Sequence, residues 1–172
     1  MGTLKTTNIQ TITGSGTLTI GTSGETITIP SGVTVNRNAP SFLAQAVNSD
    51  TNYTANTILP FPQVIYDTGS NYNSSTGRFT APLAGVYLAG HSIWQSSSLS
   101  GTARGAFLVN GSRYKASSAS NSPSSRIKSS SEQYSAVTFP INLAVNDYVE
   151  VEVFEASCTL FWANYFFMHY LG

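Results

Sequence analysis

The sequence predicts an all-β protein, on three observations. Short β-branched and aromatic runs alternate apolar and polar residues with period two; Gly, Pro, Asn and Ser punctuate them every few residues; and no stretch shows convincing helical periodicity.

The first such runs are sparse. From Thr17 to Val35 the chain reads TLTI, GTSGE, TITI, PSG and VTV, placing Leu18, Ile20, Ile27, Ile29, Val33 and Val35 on one side of the strands and threonines on the other. Ordering each backbone residue costs about 1–2 kcal/mol, which so thin an apolar face cannot offset alone. Residues 1–38 are therefore expected to form an attachment or stalk segment that orders when three copies wrap around one axis. Asn38-Ala39-Pro40 marks a boundary, and residues 39–172, much richer in aromatics, form a head domain.

Within the head the expected strands run from Phe42 to Val47, Phe61 to Tyr66, Arg78 to Thr80, Gly85 to Gln95, Gly105 to Asn110, Ser112 to Ala116, Gln133 to Leu143, Asp147 to Glu155 and Thr159 to Leu171. Asn110-Gly111 between two of these runs is a hairpin signal, because both residues tolerate the positive φ of a type I′ turn. About nine strands with such turns describe a sandwich or jelly-roll. In the run from Asp147 to Glu155, Val149, Val151 and Val153 point inward and Glu150 and Glu152 to water.

The last strand is apolar on both faces, with Trp162, Phe166, Met168 and Tyr170 on one side and Phe161, Tyr165, Phe167 and Leu171 on the other. In an isolated copy one face would be a large exposed patch. The expected remedy is a subunit interface near Trp162, Tyr165, Phe167 and His169.

Composition narrows the function. Charged residues are only 9% of the chain, and eight basic side chains balance eight acidic ones, so no field attracts a phosphate backbone and no nucleic acid partner is expected. No run of eighteen apolar residues exists, so membrane insertion is not expected, nor is a signal peptide read at the N-terminus. Cys158 is the only cysteine, and His91 and His169 are the only histidines, in no metal-ligand spacing. There is no GxSxG elbow and no phosphate-binding glycine loop, so no enzyme, cofactor or metal is expected. Asp67 and Asp147 lie beside turns, where carboxylates ordinarily bind backbone N–H groups. Arg104, Arg126 and Lys128 stand in serine-rich regions expected to be exposed loops, where recognition usually resides.

One spacing is more specific. Phe61, five residues, Asp67, four residues, Tyr72, six residues, Phe79, five residues, Gly85, one residue, Tyr87 resembles the signature of the globular head domain of complement C1q, a relative of the tumour necrosis factor fold. The stretch Asn146-Asp147-Tyr148-Val149 is similar to the family's Gly-Asp-x-Val element, while Ala89 and His91 stand where larger aromatics are usual. The resemblance covers Ser41 to Gly172 and implies a ten-stranded jelly-roll assembling as a homotrimer. It supplies no ligand, since family members bind very different partners.

No Gly-X-Y repeat precedes the head; the TITIPSG-type segment is similar to those of phage tail and head fibres. The expected role is thus a trimeric structural protein of a bacteriophage virion, a tail fibre or capsid decoration. Its N-terminal segment would bind other virion proteins and its head a host surface glycan or protein. A bacterial surface or matrix protein, and a fibre-mounted polysaccharide-degrading enzyme, are the alternatives.

Overall fold

In the computed structural model the described residues are 39–46, 51–95, 102–114, 124–128, 133–160 and 163–172, with isolated positions 26, 28 and 31. The chain divides into two units, Met1–Asn36 and Arg37–Gly172. The expected stalk strands lie outside the described residues, as does Trp162.

Every regular element among the described residues is a strand. In chain order they are β1 (Ser41–Gln45), β2 (Thr51–Tyr53), β3 (Thr57–Ile58), β4 (Gln63–Thr68), β5 (Tyr72–Asn73), β6 (Arg78–Thr80), β7 (Gly85–Gln95), β8 (Thr102–Val109), β9 (Ser112–Arg113), β10 (Ser124–Lys128), β11 (Gln133–Leu143), β12 (Tyr148–Phe154), β13 (Cys158–Leu160) and β14 (Tyr165–Tyr170). The final expected strand breaks into β13 and β14, and β2, β3 and β9 are short additions to the jelly-roll.

Two antiparallel sheets face each other. The first has the order β2-β13-β7-β14-β1-β4, with β11 on the other edge of β7; the second has the order β10-β8-β12-β6-β5, with β3 on β12 and β9 on β8. Their inner faces supply the core. β1 contributes Phe42 and Ala44, β7 contributes Tyr87, Ala89 and Ile93, β12 contributes Val149, Val151 and Val153, and β14 contributes Phe166 and Met168, all at 0% exposure. Ala89 lies opposite Met168, so the long side chain from β14 fills the space a larger residue on β7 would take.

The centre of the core is aromatic. Phe42 stacks on Tyr72 at 4.4 Å and on Phe79 at 5.2 Å and meets Phe166 edge-on at 4.9 Å. These offset and edge contacts suit the ring quadrupoles. His91, also at 0% exposure, lies edge-on to Phe107 at 4.6 Å, with its Nε2 3.0 Å from Ser125 Oγ on the opposite sheet. The close approach needs Gly105, where an added Cβ would fall 2.6 Å from that nitrogen. The Asn110-Gly111 turn has φ of 50° and 76°, as expected of a type I′ hairpin.

Two expectations are corrected. Glu150 and Glu152 do not face open water: they are 6% and 8% exposed, because Arg78 and Arg113 fold over them from neighbouring strands at 2.9 and 2.7 Å. Arg78 also covers the Tyr148 ring and Arg113 the Phe154 ring, so the guanidinium groups roof this sheet by stacking as well as by charge. Finally, Ser124–Lys128 is not loop but strand β10, paired along its length with β8.

Candidate functional site

The six signature residues come together, but as architecture. Phe61, Tyr72, Phe79 and Tyr87 are buried in the core. The Tyr72 hydroxyl donates to the Phe61 carbonyl at 3.2 Å and accepts from the Phe61 N–H at 3.2 Å, and burial pushes this phenol up to about 12. Tyr87 donates to the Leu83 carbonyl at 2.8 Å, closing the loop between β6 and β7. At Gly85, with φ 143°, an added Cβ would lie 2.6 Å from the Gly172 carbonyl oxygen.

Asp67 ends β4. Its two carboxylate oxygens accept the N–H groups of Asn71 and Tyr72 at 3.1 and 2.9 Å and so fix the turn into β5. Removing that carboxylate strands two donors. An Asp67→Ala variant is expected to lose about 2 kcal/mol of stability, read from the urea midpoint at fixed protein concentration.

The expected interface residues lie on the outer face of the first sheet. Phe166 and Met168 point inward, so Tyr165, Phe167 and His169 point outward, each half-buried. Registers across the sheet define three outward rows. In the central one, Tyr66, Leu43, Phe167, Gly90 and Thr138 follow one another over β4, β1, β14, β7 and β11. In the second, Thr68, Ser41, His169, Leu88 and Pro140 do so. The third begins with Gln63, Gln45 and Tyr165. These rows contain no Asp, Glu, Lys or Arg.

Phe167 lies flat against the backbone of β7: an added Cβ at Gly90 would fall 2.1 Å from its ring. It stacks with Tyr165 at 6.1 Å and touches His169 at 5.7 Å. Tyr66 Oη is 3.0 Å from His169 Nε2. Partial burial, helped by a hydrogen bond to Tyr134, pushes the Tyr165 phenol up to about 12. Tyr134, 56% exposed, meets Trp94 edge-on at 6.3 Å and extends the aromatic surface. The edge strand β4 adds Val64, Ile65 and Tyr66, at 42%, 49% and 38% exposure. Sequence reasoning found Tyr165, Phe167 and His169 but missed Leu43, Gly90, Trp94 and Tyr134. They belong to strands that it identified, and only the register puts them on one face.

The expected recognition residues are placed differently from the expectation. Arg104 and Arg126 are strand residues facing each other across β8 and β10, and Lys128 belongs to the same strand β10 as Arg126. Arg104 is held by Glu155, Nε to Oε2 3.0 Å. Arg126 is exposed on the outside of the second sheet.

A different concave surface lies where the turn between β4 and β5 meets the loop between β6 and β7. One cleft of about 410 Å³ is lined by Pro40, Thr68, Gly69, Asn71, Pro82 and Leu83. A second, of about 290 Å³, is lined by Ser70, Asn71, Tyr72, Asn73, Thr80, Ala81, Pro82 and Asn146. The two share Asn71 and Pro82.

Among the described residues, a close histidine–serine pair and the cysteine both lie away from these surfaces. The His91–Ser125 pair is sealed in the core, at 0% and 1% exposure, where no substrate reaches it. Cys158 is also buried, and that burial pushes its thiol up to about 11, away from the reactive thiolate. Among the described residues no three His, Cys, Asp or Glu side chains stand together as a metal site would require.

Comparison with known proteins agrees with this architecture. Residues 41–169 match the C1q domain family. The chain resembles the globular domain of zebrafish complement 1qA protein, with a TM-score of 0.59, 18% identity, and coverage of 78% of this chain and 98% of that one. It resembles Eiger, a tumour necrosis factor from S. frugiperda, with a TM-score of 0.59, 13% identity, and coverage of 79% and 94%. Murine APRIL gives a TM-score of 0.59, 12% identity, and coverage of 77% and 99%. No curated protein matches the sequence significantly.

Proposed function

Because the chain belongs to the C1q domain family, a family of typically trimeric binding modules, we propose that it is a non-enzymatic homotrimer. Its copies would associate through the outer face of the first sheet, and it would serve as the knob of a bacteriophage fibre or capsid decoration.

One observation carries the assembly: a face five strands wide, centred on Phe167, bears no charged side chain in its central rows. The outer face of the second sheet bears Arg78, Arg104, Arg113, Glu150 and Glu152 in ion pairs. One sheet is built for water and the other for a protein surface. Burying each aromatic side chain of the uncharged face is worth about 1.5–3 kcal/mol, so a few per copy suffice to hold an assembly.

A closed threefold ring fits this asymmetry. The exposed apolar edge at Val64, Ile65 and Tyr66 packs on the neighbour's Phe167 face, each copy offering edge and face in turn. Trimerisation presents every surface of the head three times, which multiplies a weak affinity for a repetitive host polymer. The virion role is supported by the Thr/Ile-alternating segment that precedes the head.

Sedimentation equilibrium of the full chain is expected to give three times 18.3 kDa. A stable single-copy mass at micromolar concentration would remove the assembly. Immunogold labelling of purified phage particles with antibody to the head is expected to decorate them; unlabelled particles would remove the virion role.

A further inference from the structure

We propose that the two adjacent clefts at the turn between β4 and β5 form a binding site for an uncharged sugar ring, so that each copy carries its own saccharide site. This takes up the binding half of the function proposed above and does not depend on the assembly half.

The lining selects the ligand class. Among the described residues no charged side chain lines either cleft, so a phosphate, sulfate or carboxylate entering it meets no counter-charge from them and loses its hydration. An uncharged pyranose has the complementary character, with hydroxyls round its rim and C–H bonds on its faces. Pro82 gives both clefts an apolar wall; beside it the first cleft has Leu83, 45% exposed, and Thr68, and the second has the hydroxyl and amide residues Ser70, Asn73 and Asn146. The volumes, about 410 and 290 Å³, suit small ligands of one or two rings.

The walls are fixed before any ligand arrives. Asp67 holds the amides of Asn71 and Tyr72, Asn71 Nδ2 donates to the Thr68 carbonyl at 2.9 Å, and Thr80 N–H donates to the Asn71 carbonyl at 2.8 Å. Across the cleft, Asn146 N–H donates to the Ala81 carbonyl at 2.8 Å. The side chains of Ser70 and Asn146 take no part in these bonds. Both residues nevertheless sit at positive φ, 55° and 69°, where glycine would be easier. The Ser70 hydroxyl is therefore held at a backbone cost, while asparagine takes this conformation readily at 146; both residues stand on rigid walls of a cleft lined by neutral described residues. A site built in advance spares its ligand the ordering cost of binding.

Positive φ also supplies a clean test. In the Ser70→Gly, Asn146→Gly double variant both polar groups vanish while the backbone is relieved, so the thermal midpoint is expected to hold or rise. The ¹⁵N-labelled full chain is titrated with methyl β-galactopyranoside, methyl α-glucopyranoside and N-acetylglucosamine, with N-acetylneuraminic acid as the anionic counterpart. At least one neutral sugar is expected to shift the amides of Ser70, Asn71, Asn73 and Asn146 at millimolar concentration, and the double variant to bind it at least fivefold more weakly. No shift with any neutral sugar, equal binding by the double variant, or equal binding of the anionic sugar would each overturn the inference. A trimer that binds no sugar leaves the assembly standing, and a monomer that binds one leaves this site standing.

Discussion

A Phe167→Glu variant is expected to remain folded and to sediment as a single 18.3 kDa copy. The side chain points away from the core, whose nearest contributions from the same strand, Phe166 and Met168, are untouched. What changes is the centre of the uncharged face. Losing the ring forfeits about 1.5–3 kcal/mol in each of three copies, which weakens association by at least about a thousandfold. The new carboxylates would also be driven into one apolar contact whose outward rows hold no Arg or Lys to receive them, which adds the cost of desolvating charge. Far-ultraviolet circular dichroism should keep its β signature while the sedimentation mass drops. A variant that keeps the wild-type mass would show that this face is not where copies meet.

The second large effect is acid sensitivity from His91. Burial holds its imidazole well below the usual histidine range, at about 3 against an ordinary 6.5. Nε2 faces Ser125 and Gly105, the ring lies against Phe107, and Nδ1 has no partner among the described residues. None of those neighbours titrates. The folded chain therefore keeps this group neutral while the unfolded chain takes up a proton below 6.5. Its contribution is fully present above 6.5 and declines as pH falls toward about 3, at roughly 1.4 kcal/mol per pH unit.

Asp147 acts in a lower window. Hydrogen bonds from the Asn110 amide and the Ala144 N–H hold its carboxyl below the usual 3.8, so its stabilisation is present above that value and is lost only as pH falls below it. Urea midpoints between pH 7 and 4 should thus decline steeply in the wild type and much less in a His91→Gln variant, which cannot titrate. Equal slopes in the two proteins would exclude His91 as the cause.

The parts of the head that could be read from the sequence are those whose signal is local. Val149, Val151 and Val153 alternate within one strand, Asn110-Gly111 specifies its own turn, and the spacing from Phe61 to Tyr87 reports a core built from nearby segments. Strand β10 was hidden because Ser124–Lys128 has serine on its flank and one aliphatic, Ile127; its strand character comes from pairing with β8, and Ile127 at 0% exposure was the single clue. Glu150 and Glu152 read as solvated because their alternation is that of an exposed face. The arginines that cover them lie 72 and 39 residues away, at positions 78 and 113. The clefts were invisible for a similar reason, since their walls come from turns with no common motif.

The position of β14 sets the order in which the head can be made. It lies between β7 and β1, and among the described residues it is the only strand joining the β1–β4 pair to the rest of the first sheet. Synthesis must therefore pass His169 before that sheet can exist as one surface, because Thr68 is the partner of Ser41 on one side and His169 its partner on the other. Until then the first sheet is two disconnected ribbons, and the face on which Phe167 sits has not been created. If copies associate through that face as proposed, they can recognise one another only after β14 has been made.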